Sequence, residues 1–166
     1  QAGTAPFGEG DGIAIDSIDG TISVTTARTC GGYRPFGVID AGYLRADVGA
    51  EGACVWVTSL TDAPISGSPR LLLAHQTDGT DSGTVFRDGR RIQIERWGRL
   101  PHLLRMGRAD VSVAVREGAW RVYALDATGR RQKEVPSTRR DGRIAFQADV
   151  SIRPDDATIF YELTCD

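Results

Sequence analysis

The chain has 166 residues and a formal net charge of −2, from 20 basic and 22 acidic side chains. This length suits one domain, which can bury roughly two thirds of its unfolded surface and needs no cross-link to fold. The near-neutral charge excludes nucleic acid and anionic membrane surfaces as expected partners. No apolar run approaches the ~20 residues that a membrane-spanning helix needs.

The basic residues are almost all arginine, with Lys133 as the one lysine. We interpret this first as codon bias, although guanidinium groups also bind planar carboxylates through two parallel hydrogen bonds. The sequence opens on Gln1 without a signal peptide, so any targeting segment is expected to have been removed.

Short segments that alternate apolar and polar residues recur along the chain, as in strands with one buried face. In chain order they span residues 13–15, 22–24, 55–58, 71–75, 92–95, 111–115, 120–125, 144–148 and 159–163. Asp-Gly pairs, which favour two-residue hairpin turns, occur five times along the chain. The best helical candidate, residues 100–106, contains Pro101 and would form one turn at most. The sequence therefore predicts an all-β fold, an antiparallel two-sheet β-sandwich of jelly-roll or immunoglobulin-like type with little or no helix.

The domain boundaries follow from composition. No internal repeat and no low-complexity linker divides the chain, so one domain is predicted over residues 11–166. Residues 1–10 are rich in Gly and Ala and are predicted to form a flexible N-terminal arm.

A search for catalytic motifs finds no phosphate-binding loop, no HExxH and no GxSxG in the sequence. A Ser/His/Asp triad would need His75 or His102, and His75 lies in an apolar run typical of a packed residue. Among the acids, Glu95 and Glu162 fall in predicted strands, where alternation would place both on a solvated face. The sequence therefore predicts a protein that is not an enzyme.

A calcium site is one alternative for the segment of residues 78–83, Asp-Gly-Thr-Asp-Ser-Gly. Calcium prefers six to eight oxygen ligands, and Asp78 and Asp81 would supply carboxylates. The segment lacks the third acid and the distal Glu of an EF-hand loop, and a tight polar turn explains it equally well. No other cofactor is predicted.

Carbohydrate binding is the other chemistry that the sequence suggests. Trp97 lies in a segment rich in Gly, Pro and Arg that also contains Arg99 and His102, and Tyr33 has similar neighbours. Aromatic rings stack on the apolar faces of sugars, and arginines bind their hydroxyl or carboxylate groups. The alternative is a tryptophan that packs onto the edge of the sandwich.

The three cysteines, Cys30, Cys54 and Cys165, make an odd number and a poor disulfide framework. Cys30 and Cys54 would pair if their strands are neighbours. The alternative is that they are small buried hydrophobic residues. No Cys/His spacing indicates zinc.

Several longer strings resemble a known class of module. They are residues 58–65, 70–78 with Gly83, 97–101, 122–126 with 129–131, and 161–163. Together they resemble the C-terminal β-sandwich accessory modules of large secreted bacterial proteins related to glycoside hydrolases, over roughly residues 22–163.

The resemblance implies a non-catalytic, all-β accessory domain in a polysaccharide-degrading context, with a catalytic domain of the same parent chain as its partner. It leaves open whether the module supports that catalytic domain structurally or also binds polysaccharide. It also implies a secreted or periplasmic location, and a Cys30–Cys54 bridge with Cys165 free would suit export. Two alternatives stay open: a small stand-alone hydrolase that acts on glycans through a carboxylate pair, and an immunoglobulin-like protein-interaction module.

Overall fold

A computed structural model describes residues 3–7, 11–150 and 157–166, with side chains from residue 12 onward. These residues contain no helix and form eighteen strands, so the predicted all-β class is confirmed. The strands are β1 (Gly3–Phe7), β2 (Asp11–Asp16), β3 (Thr21–Thr25), β4 (Thr29–Arg34), β5 (Val38–Ala41), β6 (Leu44–Asp47), β7 (Ala53–Ser59), β8 (Arg70–Gln76), β9 (Gly79–Ser82), β10 (Val85–Phe86), β11 (Ile94–Arg96), β12 (Arg99–Leu104), β13 (Gly107–Ala114), β14 (Trp120–Leu125), β15 (Arg131–Val135), β16 (Ser137–Arg140), β17 (Arg143–Val150) and β18 (Phe160–Cys165). No helix that could span a membrane is present in this part of the chain.

The strands form two large sheets and two small ribbons. The nine-stranded sheet has the order β1-β2-β3-β4-β7-β8-β18-β14-β15, and the five-stranded sheet has the order β16-β17-β13-β6-β5. The ribbons pair β9 with β12 and β10 with β11. All strand pairs are antiparallel, as the sequence predicts.

The inward faces of the two large sheets contribute to one hydrophobic core. Alternate residues of each strand are buried, so Val57 and Leu73 of the nine-stranded sheet join the same cluster as Val111 of the five-stranded sheet. Phe146 and Tyr161 contact each other from opposite sheets, with ring centroids 5.5 Å apart. Apolar burial of about 25 cal/mol per Å² at this shared face stabilises the pair of sheets.

The predicted arm, residues 1–10, contains an edge strand. The backbone of Gly3–Phe7 pairs with β2, from Gly3 opposite Ile15 to Phe7 opposite Asp11. Residues 1, 2 and 8–10 lie outside the described part of the chain.

The structure contains strands that the alternation of the sequence does not predict, among them β5, β6, β9, β15 and β16. Residues 100–106, the best helical candidate, lie mostly in β12. Strand β4, which contains Cys30 in a strand as expected, continues through Gly31 and Gly32 although glycine is depleted in strands. A Cβ atom on Gly31 would lie 2.8 Å from Cε3 of Trp56, so the glycine leaves room for the Trp56 ring on the adjacent strand.

The predicted Cys30–Cys54 disulfide is wrong, although β4 and β7 are neighbours as it required. Cys30 lies opposite Val57, and Cys54 lies opposite Tyr33, so the two cysteines are offset by three positions and face opposite sides of the sheet. A disulfide needs Cα atoms within about 7 Å and converging side chains. Both thiols are free, and Cys30 is fully buried in the core as the alternative proposed.

Glu162 is buried, contrary to the solvated face expected from alternation. Its carboxylate accepts hydrogen bonds from Nε of Arg70 and Nε of Arg131, each at 2.5 Å, and Arg131 also stacks on the ring of Tyr123. Burial raises the pKa of Glu162, but the hydrogen bonds from Arg131 and Arg70 outweigh it and hold the pKa below its usual value. The outer face of the nine-stranded sheet thus contains a buried charge that is fully paired.

His75 is a polar residue inside the core. It is fully buried on β8, opposite Val55, and the described residues supply no hydrogen-bond partner to either ring nitrogen. Burial lowers the pKa of His75, and the negative charge of Asp149 opposes that effect only in part. An unsatisfied buried polar group of this kind costs about 1–3 kcal/mol of stability.

We predict that His75→Leu raises the free energy of unfolding by about 1–3 kcal/mol at pH 7.5, because apolar surface replaces the unsatisfied nitrogens. The wild type should also lose stability as the pH falls below about 6.5, the ordinary pKa of histidine. In that range the unfolded imidazole binds a proton that the native state excludes. Urea unfolding at pH 7.5 and pH 5.5 measures both effects.

His102→Leu is the matched control, since His102 is exposed and its replacement should not give the gain in stability expected for His75→Leu. A His75→Leu protein that is less stable than the wild type at both pH values would contradict the prediction.

Candidate ligand-binding site

Residues 77–106, here termed the crossover segment, connect β8 of the nine-stranded sheet to β13 of the five-stranded sheet and contain both ribbons. Hydrogen bonds close its base. The N–H of Arg105 donates to the carbonyl of Asp78 at 2.8 Å, and the hydroxyl of Thr77 donates to the carbonyl of Arg105 at 2.5 Å. The guanidinium of Arg105 donates to the carbonyl of Gly52 at 2.5 Å, which fixes the segment to the sandwich.

The ribbons line an open pocket of about 750 Å³, here termed the crossover pocket. Its apolar lining consists of Phe86, Ile94, Trp97 and Leu104. Its other lining residues are Asp78, Gly79, Thr80, Asp81, Thr84, Arg91 and His102. Apolar surface with a few convergent polar groups is typical of a small-ligand site.

Asp81 and His102 form a hydrogen-bonded pair in this pocket. They lie opposite each other in the β9–β12 ribbon, with Oδ1 of Asp81 2.6 Å from Nδ1 of His102. The contact orients the imidazole and leaves Nε2 as the ring nitrogen available to a ligand. No hydroxyl or thiol of the described residues is bonded to Nε2, so the pair lacks the nucleophile of a triad there.

Asp78 and Arg91 form the second fixed pair of the pocket. The guanidinium of Arg91 donates to the carboxylate of Asp78 and lies over the ring of Phe86, 4.6 Å from its centroid. Two different contacts therefore hold one cation in place beside an aromatic wall.

Trp97 provides the exposed aromatic surface of the site. Its side chain lines the pocket, yet the residue is 77 % exposed, so it does not pack onto the sandwich edge. The adjacent Gly98 lies so close to β9 that a Cβ atom there would be 2.5 Å from Oγ1 of Thr84 and 2.6 Å from Cβ of Asp81. Because residue 98 is glycine, the backbone next to Trp97 can lie directly against Thr84 and Asp81.

The two carboxylates considered for calcium have other partners. Asp78 is bonded to Arg91, and Asp81 is bonded to His102. No group of three or more His, Cys, Asp or Glu side chains in the described ranges is arranged to hold a metal ion.

The structure brings four of the residues selected from the sequence together, since Trp97, His102, Asp78 and Asp81 all line the crossover pocket. Arg99 begins β12 opposite Ser82 and is exposed, next to the pocket but not part of its lining.

Tyr33 lies elsewhere. It is on the outer face of the nine-stranded sheet, paired with Ile22 and Cys54, and it is not part of the pocket lining.

Sequence reasoning missed Phe86 and Arg91. Both belong to the segment around Asp88-Gly89, one of the five Asp-Gly pairs that predict turns. A signal was present, because an apolar residue precedes and follows this turn at 86 and 94, as in a hairpin with one covered face.

Comparison with known proteins returns no relative: no family model, no curated protein and no solved structure matches the chain. The function is therefore inferred from the geometry and chemistry of the site.

We predict that Gly98→Ala moves the Trp97 turn away from β9 and lowers the free energy of unfolding by about 1–3 kcal/mol, because the added methyl overlaps Thr84 and Asp81. The NMR signal of the Trp97 indole N–H, assigned through Trp97→Phe, should shift in this variant.

Gly89→Ala is the control in the same segment, since a Cβ atom there meets nothing within 4 Å. An unchanged Trp97 signal in Gly98→Ala would show that the contact does not position the tryptophan.

Proposed function

We propose that this chain is a non-catalytic, carbohydrate-binding accessory domain and that the crossover pocket is its glycan site. The observation that carries the proposal is the exposed ring of Trp97, which shares one pocket with two carboxylates held at fixed positions. A flat aromatic face beside pre-oriented hydrogen-bond acceptors is what a sugar ring requires.

The aromatic and the acidic residues of the pocket have different roles in sugar binding. Trp97 stacks against the apolar face of a sugar ring, with Phe86 and Ile94 extending the apolar wall. Asp78 and Asp81 accept hydrogen bonds from sugar hydroxyls. Because Arg91 and His102 already hold these carboxylates, little conformational entropy is lost when the sugar binds.

The non-catalytic assignment is supported by the partners of the polar residues. Each carboxylate of the pocket is bonded to a basic side chain, and the Asp81–His102 pair has no nucleophilic side chain bonded to it within the described residues. A glycosidase instead needs two carboxyl groups that face one scissile bond.

The proposed partner domain and location are those implied by the resemblance to accessory modules of secreted glycoside-hydrolase-related proteins. In this proposal the domain accompanies a catalytic domain of the same parent chain, works outside the cytoplasm and keeps that domain near its polysaccharide. Tethering of this kind raises the effective concentration of substrate without any catalysis by the module itself.

We predict that Trp97→Ala weakens polysaccharide binding at least about tenfold, because the stacking surface is lost and 1.4 kcal/mol corresponds to a factor of ten. Native affinity electrophoresis through gels that contain single polysaccharides measures the effect, with each mobility normalised to a gel without polysaccharide. Near-UV circular dichroism confirms that the variant is folded.

Tyr33→Ala is the matched control, an exposed aromatic outside the pocket whose removal should leave binding unchanged. Equal retardation of Trp97→Ala and wild type would refute the site, and absence of retardation on every polysaccharide would refute the function. Release of reducing ends by the wild type, lost in Asp81→Asn, would instead support the hydrolase alternative.

A further inference from the structure

The crossover segment differs in charge from the rest of the chain. It contains six arginines and four acidic residues, and is thus basic within a chain of net charge −2. The arginines are Arg87, Arg90, Arg91, Arg96, Arg99 and Arg105, and the acids are Asp78, Asp81, Asp88 and Glu95.

Half of these arginines are paired with acids. Arg91 pairs with Asp78, Arg87 lies 3.8 Å from Glu95, and Arg105 lies 3.9 Å from Glu51. For the other three, Arg90, Arg96 and Arg99, the described residues supply no acidic partner within 4.0 Å.

Two of the unpaired arginines lie on either side of Trp97 in the chain. Arg96 immediately precedes Trp97 and lies opposite Val85 in β11, separated by a bulge from the Phe86–Ile94 pair that lines the pocket. Arg99 pairs with Ser82, the neighbour of Asp81 in β9. Both are exposed.

We infer that the glycan recognised by the crossover pocket is anionic, a polysaccharide whose sugars carry carboxylate or sulfate groups. The inference rests on the proposed carbohydrate-binding function. The planar guanidinium of arginine matches the paired oxygens of a carboxylate or sulfate group and binds them through two parallel hydrogen bonds. Arg96 and Arg99 are exposed on either side of Trp97 in the chain, and they would bind such a group beside the pocket while Trp97 stacks on the sugar ring.

The acids of the pocket do not oppose this ligand. Asp78 is neutralised by Arg91, and Asp81 is bonded to His102, so both serve as acceptors for hydroxyl groups. The ligand's charge is therefore met by arginines for which the described part of the chain supplies no acidic partner, and its hydroxyls are met by carboxylates that are already held.

The test compares the wild type with Arg96→Gln/Arg99→Gln in affinity electrophoresis on polygalacturonate, dextran sulfate, neutral dextran and neutral xylan. The wild type should be retarded by at least one anionic polymer more than by either neutral one. The double variant should lose about tenfold or more of that affinity and show a weaker dependence on salt. Comparison of polygalacturonate with dextran sulfate separates carboxylate from sulfate recognition.

Arg139→Gln/Arg140→Gln is the control, since it removes the same charge from exposed positions of β16 and should retain the wild-type affinity. Equal loss in both double variants would overturn the inference, because binding would then depend on net charge alone. Equally tight binding of single-stranded oligothymidylate would overturn it too, because the site would not require a sugar polymer of this class.

The two proposals fail in different ways. Retardation by neutral polysaccharides alone, still lost in Trp97→Ala, would overturn the anionic ligand and leave carbohydrate binding intact. Absence of retardation on all four polymers would refute carbohydrate binding, and with it the inference that rests on it.

Discussion

The hydrogen bonds of Arg105 are the interaction on which the site depends. Its backbone closes the two ends of the crossover segment against Thr77 and Asp78, and its guanidinium reaches the carbonyls of Glu51 and Gly52. The hydrogen bonds of Arg105 thus offset the entropy cost of closing the long crossover segment. They also attach this segment to the residues that precede β7. Asp78 connects this base to the pocket, because its carbonyl accepts from Arg105 while its carboxylate holds Arg91.

The strands that were predictable from sequence are those with one buried face. In β7 and β8 the core environment imposes alternation, and the apolar pattern shows it directly. Strand β15 carries Arg, Gln, Lys and Glu before Val135 and forms because it pairs with β14, which is a tertiary effect. Register is equally hidden, since a shift of one residue exchanges the two faces of a strand. The cysteine pairing failed for that reason.

The sequence identified several residues of the site by their chemistry, but it did not show that they lie together in one pocket. Trp97 and His102 were assigned to one candidate site, and Asp78 and Asp81 to another, because they are separated in the chain. Pairing of β9 with β12 merges the two candidates into one pocket. Tyr33 has similar sequence neighbours to Trp97 but lies on the outer face of the nine-stranded sheet, away from the crossover pocket. The sequence does not show that these two aromatic residues are separated in space.

The position of β18 has a consequence for how the chain acquires its structure during synthesis. This strand begins at Phe160, yet it lies between β8, which ends at Gln76, and β14 in the middle of the nine-stranded sheet. The earlier strands are synthesised before β18, so the nine-stranded sheet stays incomplete between β8 and β14 until this strand has been made. Such long-range pairing makes folding slow and leaves partly formed sheets exposed to aggregation, so chaperone assistance during that interval would benefit this topology.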